Sequence, residues 1–298
     1  MNIEKATRVR SSMKILLTGP SGSGKTFSAL QLAYGLTNSW ENICVIDTEL
    51  GSAGLYSNLG QFNVINLEPP YHPHRYVEAI KLATGNQMNV IIIDSISHEW
   101  SGKGGCLELH EKTTSSMKIP NSFTAWSQVT PLHQEFLDAI IQCSVHVIAT
   151  ARSKTDYVLV ERNGKQVPQK VGMAPVFRDG TEYDFSIHLE LDQQHRAFCS
   201  KDRTGLFADK EPFKITPETG HMINQWYEDK PKADHGMKIQ QCRSIKELKT
   251  LFELTPTNQQ EDYRFHFRKR KAELMEHSTV VEALKQTPIH QNGHSKVL

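Results

Sequence analysis

Residues 19–26 read Gly-Pro-Ser-Gly-Ser-Gly-Lys-Thr, and their types and order carry the clearest chemistry in the chain. Gly19, Gly24, Lys25 and Thr26 satisfy the spacing G-x-x-x-x-G-K-[ST]. Pro20, Ser21, Gly22 and Ser23 fill the loop, and Phe27 follows it. Glycines let backbone N–H groups turn inward with no Cβ in the way, and a helix starting behind them adds partial positive charge. Such a loop cradles phosphates. Lys25 is placed to reach the β- and γ-phosphates of a nucleotide, and Thr26 to offer its hydroxyl to Mg2+.

Further candidates sit where apolar runs end. Asp94 closes "VIIID" and is placed to support Mg2+, with Ser95 beside it as a hydrogen-bonding neighbour. Cleavage of a phosphoanhydride also needs a group that orients or deprotonates water. Three acids qualify: Glu49 after "ICVID", Asp47 within that run, and Glu99 in "DSISHEW". Geometry favours Glu49, which shares the rim of the phosphate loop, while Asp47 also fits a strand-end cap. Thr150 and Arg152, at the end of "VIATAR", are either a γ-phosphate sensor or an ordinary strand exit. Lys201 and Arg203 have i, i+2 spacing, so on a strand both point one way. They read as a pair reaching into a neighbour's phosphates or as a charge-guarded edge.

These residues need a scaffold that gathers strand ends. Short apolar runs at 13–19, 43–49, 62–67, 89–95 and 145–151 alternate with helical patterns at 26–36, 74–84 and 128–142, where Pro131 is expected in the first turn. That order predicts an α/β fold with a mainly parallel central sheet and ligands at the carboxyl ends of its strands. A hairpin is expected around Asn163-Gly164, then antiparallel edge strands over 182–192 and 195–202, and a closing helix within 212–229. Residues 230–236 read as a linker, 237–285 as a small helical segment and 286–298 as a disordered tail. Residues 1–229 form the main domain in this reading.

The net charge is +1, so nothing global draws the chain to nucleic acid or membrane. Local patches remain. Residues 102–124 read as polar loop with Lys103, Lys112 and Lys118. Residues 153–180 carry Lys154, Arg162, Lys165, Lys170 and Arg178, with Tyr157 or Phe177 as a stacking partner for bases; both segments read equally as ordinary solvated surface. The basic cluster "RFHFRKRK" at 264–271 fits an amphipathic helix equally well. Five widely spaced cysteines without a C-x-x-C pair imply a reducing compartment, and no apolar run is long enough to span a bilayer. A cytoplasmic location follows as an expectation.

The succession "GPSGSGKT", "VIDTE", "VIIIDS", "VIATARS" and "SKDRTGLF" resembles RecA-like P-loop ATPases, in particular the phage and prophage group that accompanies single-strand annealing and recombination genes. The resemblance covers about residues 13–228. It implies ATP and Mg2+ as ligands, Glu49 as the catalytic carboxylate, and Lys25 as part of the same site. It implies a homo-oligomer with ATP at the subunit interface, Lys201 and Arg203 acting in trans. It also implies single-stranded DNA on the two segments after the third and fourth core strands, a phage single-stranded-DNA-binding or annealing protein as a further partner, and the host cytoplasm as location. The chain departs from recombinases in having Thr150 and Arg152 where they place a glutamine. Only about a dozen residues precede the first strand, so the segment through which recombinases polymerise is expected to be missing or reduced. Two other classes fit the phosphate loop: an ATP-dependent switch with a protein partner, and a small-molecule kinase.

Overall fold

The computed structural model describes residues 12–162, 165–228, 232–255, 260 and 263–275, with backbone alone over 156–162, 165–172, 232–235 and 237. The chain divides into two compact units at residues 228 and 229.

In the larger unit, five strands carry the centre: β1 (Lys14–Gly19), β2 (Ile43–Asp47), β3 (Asn63–Asn66), β4 (Val90–Asp94) and β5 (His146–Arg162). They continue with β6 (Lys165–Pro175), β7 (Ile187–Leu191) and β8 (Ala197–Asp202) into an eight-stranded sheet of order β3-β2-β4-β5-β1-β7-β8, β6 pairing with β5. All core pairings through β7 are parallel, and β7–β8 is an antiparallel edge pair. The expected α/β architecture is therefore the observed one.

Alternation along the strands builds two cores. Ile46, Ile91, Ile93, Val147 and Ala149 face one side, against α2 (Pro73–Gly85) and α5 (Ser122–Ile141). Val45, Val90, Ile92, Ile148 and Leu17 face the other, against α1 (Lys25–Thr37) and α6 (Pro217–Glu228). Burial on both faces is why these strands are apolar without interruption. The parallel arrangement brings the ends of β1, β2, β4 and β5 to one rim.

Three local expectations change. The helix that includes Pro131 starts at Ser122, capped by Asn121, whose side chain accepts from Thr124 N. Ala125 and Val129 extend the buried stripe upstream, and Pro131 lies exposed inside the helix instead of in its first turn. The segment 102–124 is not mainly loop, because α4 (Cys106–Ser116) occupies its middle. Strand β5 does not stop at the sheet: it runs on as one arm of the β5–β6 hairpin, paired from Ser153–Pro175 to Arg162–Lys165. A short helix α3 (Ser97–Ser101) follows β4.

The second unit holds α7 (Lys232–Gln241), α8 (Ile245–Glu253) and a helix α9 over residues 263–275. Helix α7 takes up most of the expected 230–236 linker. Ile239, Cys242, Leu248, Tyr263 and Phe267 form its core. Residues 276–298 lie outside the described part.

Helix α1 is fixed by its crossing with α6. A Cβ on Gly35 would lie 2.0 Å from Pro217 O, and one on Gly220 would lie 2.3 Å from Leu32 O. Both obstacles are backbone, so neither can step aside cheaply. Gly35→Ala is expected to lower unfolding free energy by about 1–3 kcal/mol despite its better helix propensity. Thermal unfolding monitored by circular dichroism checks this, and an unchanged midpoint contradicts the close crossing.

Candidate functional site

The phosphate loop follows β1 and closes on α1. Gly22 and Gly24 have φ of 79° and 83°, a region that favours glycine, which explains why the loop is built from them. Lys25 Nζ donates to the carbonyls of Gly19 (3.0 Å) and Pro20 (2.9 Å), spanning the loop it closes. Burial pushes the Lys25 ammonium below its ordinary pKa, and Asp94 and Glu49 oppose that shift. Ser23 Oγ is buried without a protein partner among the described residues. Ser21 and Phe27 are exposed, and Phe27 leans toward Tyr56 at 6.1 Å.

Asp94 is the centre of the rim. Thr26 Oγ1 donates to its Oδ2 and Thr150 Oγ1 to its Oδ1, each at 2.5 Å. Burial raises the Asp94 pKa, and the two hydroxyls pull the other way. One carboxylate thus joins the start of α1 to the ends of β4 and β5.

Glu49 stands two residues beyond β2. Its Oε1 accepts from Arg152 Nε at 3.0 Å and from Ser95 Oγ at 3.3 Å, and its Oε2 accepts from Arg152 Nη2. Thr150 and Arg152, the paired sensor candidates, are therefore both engaged, one with Asp94 and one with Glu49. The alternatives to Glu49 are committed elsewhere. Asp47 is buried and accepts from Glu49 N (2.6 Å) and Ala53 N (2.8 Å), which makes it the brace of the turn after β2. Glu99 is 1% exposed and accepts from His133 Nδ1 (3.0 Å) and from the Cys106 thiol (3.0 Å), tying α3 to α4 and α5 away from the rim.

Some supporting residues carry little sequence signal. Thr48 Oγ1 accepts from Ser95 N at 2.8 Å and lies 2.8 Å from His98 Nδ1. Tyr71 donates to Thr48 O and stacks on His98 at 4.8 Å. These contacts clamp the ends of β2 and β4 together under Glu49. His195, in the β7–β8 turn, lies where a Cβ on Gly24 would come within 3.1 Å of its Nδ1. Thr48 and His98 stood inside quoted runs but without an assigned role, and Tyr71 and His195 stood outside them.

The remaining candidates are dispersed. Lys201 Nζ donates to the carbonyls of Glu182 and Tyr183, and Arg203 Nη2 to that of Tyr183, so the pair does share one side of the edge. Lys103, Lys118 and Lys154 are exposed, on the segments after β4 and along β5. Arg178 is tied down, donating to Thr130 Oγ1 and lying 5.7 Å from the Trp126 ring. Phe177 is 7% exposed and packs in the core, so it has no free face for a base, contrary to the sequence-based expectation. The side chains of Tyr157, Arg162, Lys165 and Lys170 lie outside the described part.

A family model described as AAA domain matches residues 11–208, spanning loop, Asp94, Glu49, Arg152 and the β7–β8 edge. The chain belongs to that family. No curated protein matches it. The AAA domain is an ATPase module, which implies nucleotide binding and hydrolysis. Mg2+ usually accompanies the nucleotide in such domains, and it takes hard oxygen ligands. Thr26 Oγ1 and Asp94 Oδ2 are oxygens of that kind, adjacent and beside Lys25. They fit the ion. Among the described residues, no helix is long and apolar enough to cross a membrane.

The Glu99–His133 pair is a structural tie by this geometry. His133→Ala would remove one of the two donors to a buried carboxylate, at a cost of about 1–3 kcal/mol. The expected outcome is a markedly lower melting temperature, with ATP affinity of the folded protein within twofold of wild type. Loss of ATP affinity at a temperature where the variant is folded would place Glu99 in the site after all.

Proposed function

We propose that this AAA-family protein is a Mg2+-dependent ATPase that acts on single-stranded DNA in phage-type recombination, annealing or replication. The observation that carries the reading is the Arg152–Glu49 ion pair, because Arg152 stands where β5 leaves the nucleotide rim and becomes the arm of a long hairpin. The site and a surface element are consecutive residues of one strand.

Lys25 holds the β- and γ-phosphates, and Thr26 with Asp94 holds Mg2+, which offsets charge on the phosphates when bound. Glu49 orients and deprotonates the attacking water. In its pair with Arg152 both carboxylate oxygens are committed to a guanidinium. A ligand on the hairpin that draws Arg152 away frees Glu49 and starts hydrolysis. Exposed Lys154 on β5, with Lys103 and Lys118 on the segments after β4, supports DNA as that ligand. Ile119 and Phe123 are 82% and 85% exposed beside Lys118, surface suited to unstacked bases.

A homo-oligomer with ATP between copies is part of the proposal. Leu50 and Leu55 are more than 80% exposed beside Glu49, an apolar rim that a second copy would cover. Lys201, on the terminal strand of the sheet, and Arg203, one residue beyond it, would reach that copy's γ-phosphate. A phage single-stranded-DNA-binding or annealing protein remains the proposed further partner. A second reading, an ATP-dependent switch or assembly factor with a protein partner and no direct DNA role, is favoured by the net charge of +1 and by the separate helical unit at the C-terminal end.

ATP turnover with and without oligothymidylate tests the proposal. Wild type is expected to be stimulated by the oligonucleotide. Arg152→Ala is expected to hydrolyse without DNA at about the stimulated rate, a change on the order of tenfold or more. Wild-type turnover indifferent to DNA, with no retention of the oligonucleotide at low salt, sinks the DNA reading. In the same assay, mixing Glu49→Gln with Arg203→Ala should recover about a quarter of wild-type turnover, the share of head-to-tail interfaces with both parts intact.

A further inference from the structure

Away from the nucleotide rim, three ligand-type side chains from three helices meet around one point. Glu99 of α3, Cys106 at the start of α4 and His133 of α5 are 1%, 0% and 3% exposed. His133 Nδ1 lies 3.0 Å and 3.1 Å from the two Glu99 oxygens, and the Cys106 thiol donates to Oε1 at 3.0 Å. An oxygen, a nitrogen and a sulfur therefore fall within 4.8 Å of one another. Among the described residues no lysine or arginine pairs with Glu99, so a carboxylate cut off from water is met only by a thiol and an imidazole. Buried charges are as a rule paired or bound to a metal. The other ring nitrogen, His133 Nε2, is buried with no protein partner.

We infer that Glu99, Cys106 and His133 bind a divalent transition-metal ion of the zinc class, which locks α3, α4 and α5 together. Imidazole, thiolate and carboxylate are all zinc ligands, whereas Mg2+ and Ca2+ take oxygen alone. The spacing fits. With bonds of about 2.0–2.1 Å to nitrogen and oxygen and about 2.3 Å to sulfur, ligand atoms around a tetrahedral ion stand about 3.3–3.6 Å apart. The 3.0 Å contacts from Glu99 need to open by only about half an ångström to admit it. Charge closes as well. On binding, the thiol proton leaves to solvent and the imidazole proton passes from Nδ1 to Nε2. The positive charge of the ion then offsets the carboxylate and the thiolate. Nε2 has no protein partner to oppose that tautomer. Three protein ligands leave the fourth position to water. The site shares no residue with the Thr26–Asp94 edge, and it stands whether or not the ATPase acts on DNA.

Co2+ absorption of the full-length protein tests it, after chelator treatment and without nucleotide. Cobalt bound by a thiolate gives an intense charge-transfer band in the near ultraviolet; cobalt on the oxygens of Thr26 and Asp94 gives none. The wild-type band is expected to saturate at about one equivalent per chain and to be displaced by Zn2+. Cys106→Ser should abolish the band and Cys199→Ser should keep it. Zn2+ at about 100 times its Kd should raise the wild-type melting temperature by about 5 °C or more, and that of Cys106→Ser by far less. Serine keeps a donor for Glu99, so this variant should fold without the ion. His133→Gln should weaken Zn2+ binding by about tenfold or more. No thiolate band in wild type, or a band that survives Cys106→Ser, overturns the inference. So does an equal effect of Zn2+ on melting in wild type and Cys106→Ser, which would place the ion elsewhere.

Discussion

A carboxylate withdrawn from water must have its lone pairs met, and at Asp94 two threonine hydroxyls do so. The rest of the site depends on this. Thr26 belongs to the phosphate loop and Thr150 to β5, so the bonds that make burial of Asp94 tolerable also set the loop, β4 and β5 in register at one rim. The two apolar cores hold the strands parallel, and parallel strands are what bring those three ends together. Removing either hydroxyl would leave part of a buried acceptor unpaired and loosen the rim with it.

Around that centre, each acid of the rim has one role set by its partners. Asp47 faces two backbone N–H groups and braces a turn. Asp94 faces two hydroxyls and is the acid proposed to support the metal. Glu49 faces Arg152, an ion pair with its arginine 49% and its glutamate 25% exposed, and pairs this open to solvent are weak. Weakness suits a contact that must break during turnover. Since Arg152 is followed directly by the hairpin, the proposed ligand there would act on Glu49 through the backbone of a single strand, a shorter route than any network of side chains.

Much of this was legible in the sequence, for reasons that differ by residue. The phosphate loop was readable because glycines at positive φ leave a composition that few other structures need. The parallel sheet was readable because strands buried on both faces are unbroken apolar runs. Asp47 and Glu49 were separable only by their partners, since spacing places both near the rim. The start of α5 was missed because Ala125 and His133 are small or polar members of a buried stripe. Phe177 was misplaced because an aromatic in a basic segment reads as a stacking residue until its burial is known. The clamp of Thr48, Tyr71 and His98 draws on distant parts of the chain and leaves no local pattern.

The account stands or falls on Glu49 being the group that activates water in a site that binds ATP without it. The direct measurement is ATP affinity and single-turnover hydrolysis on one preparation of Glu49→Gln. ATP affinity close to wild type, with hydrolysis slower by about a hundredfold or more, is the predicted result. Hydrolysis at the wild-type rate would contradict it and return the role of base to another residue.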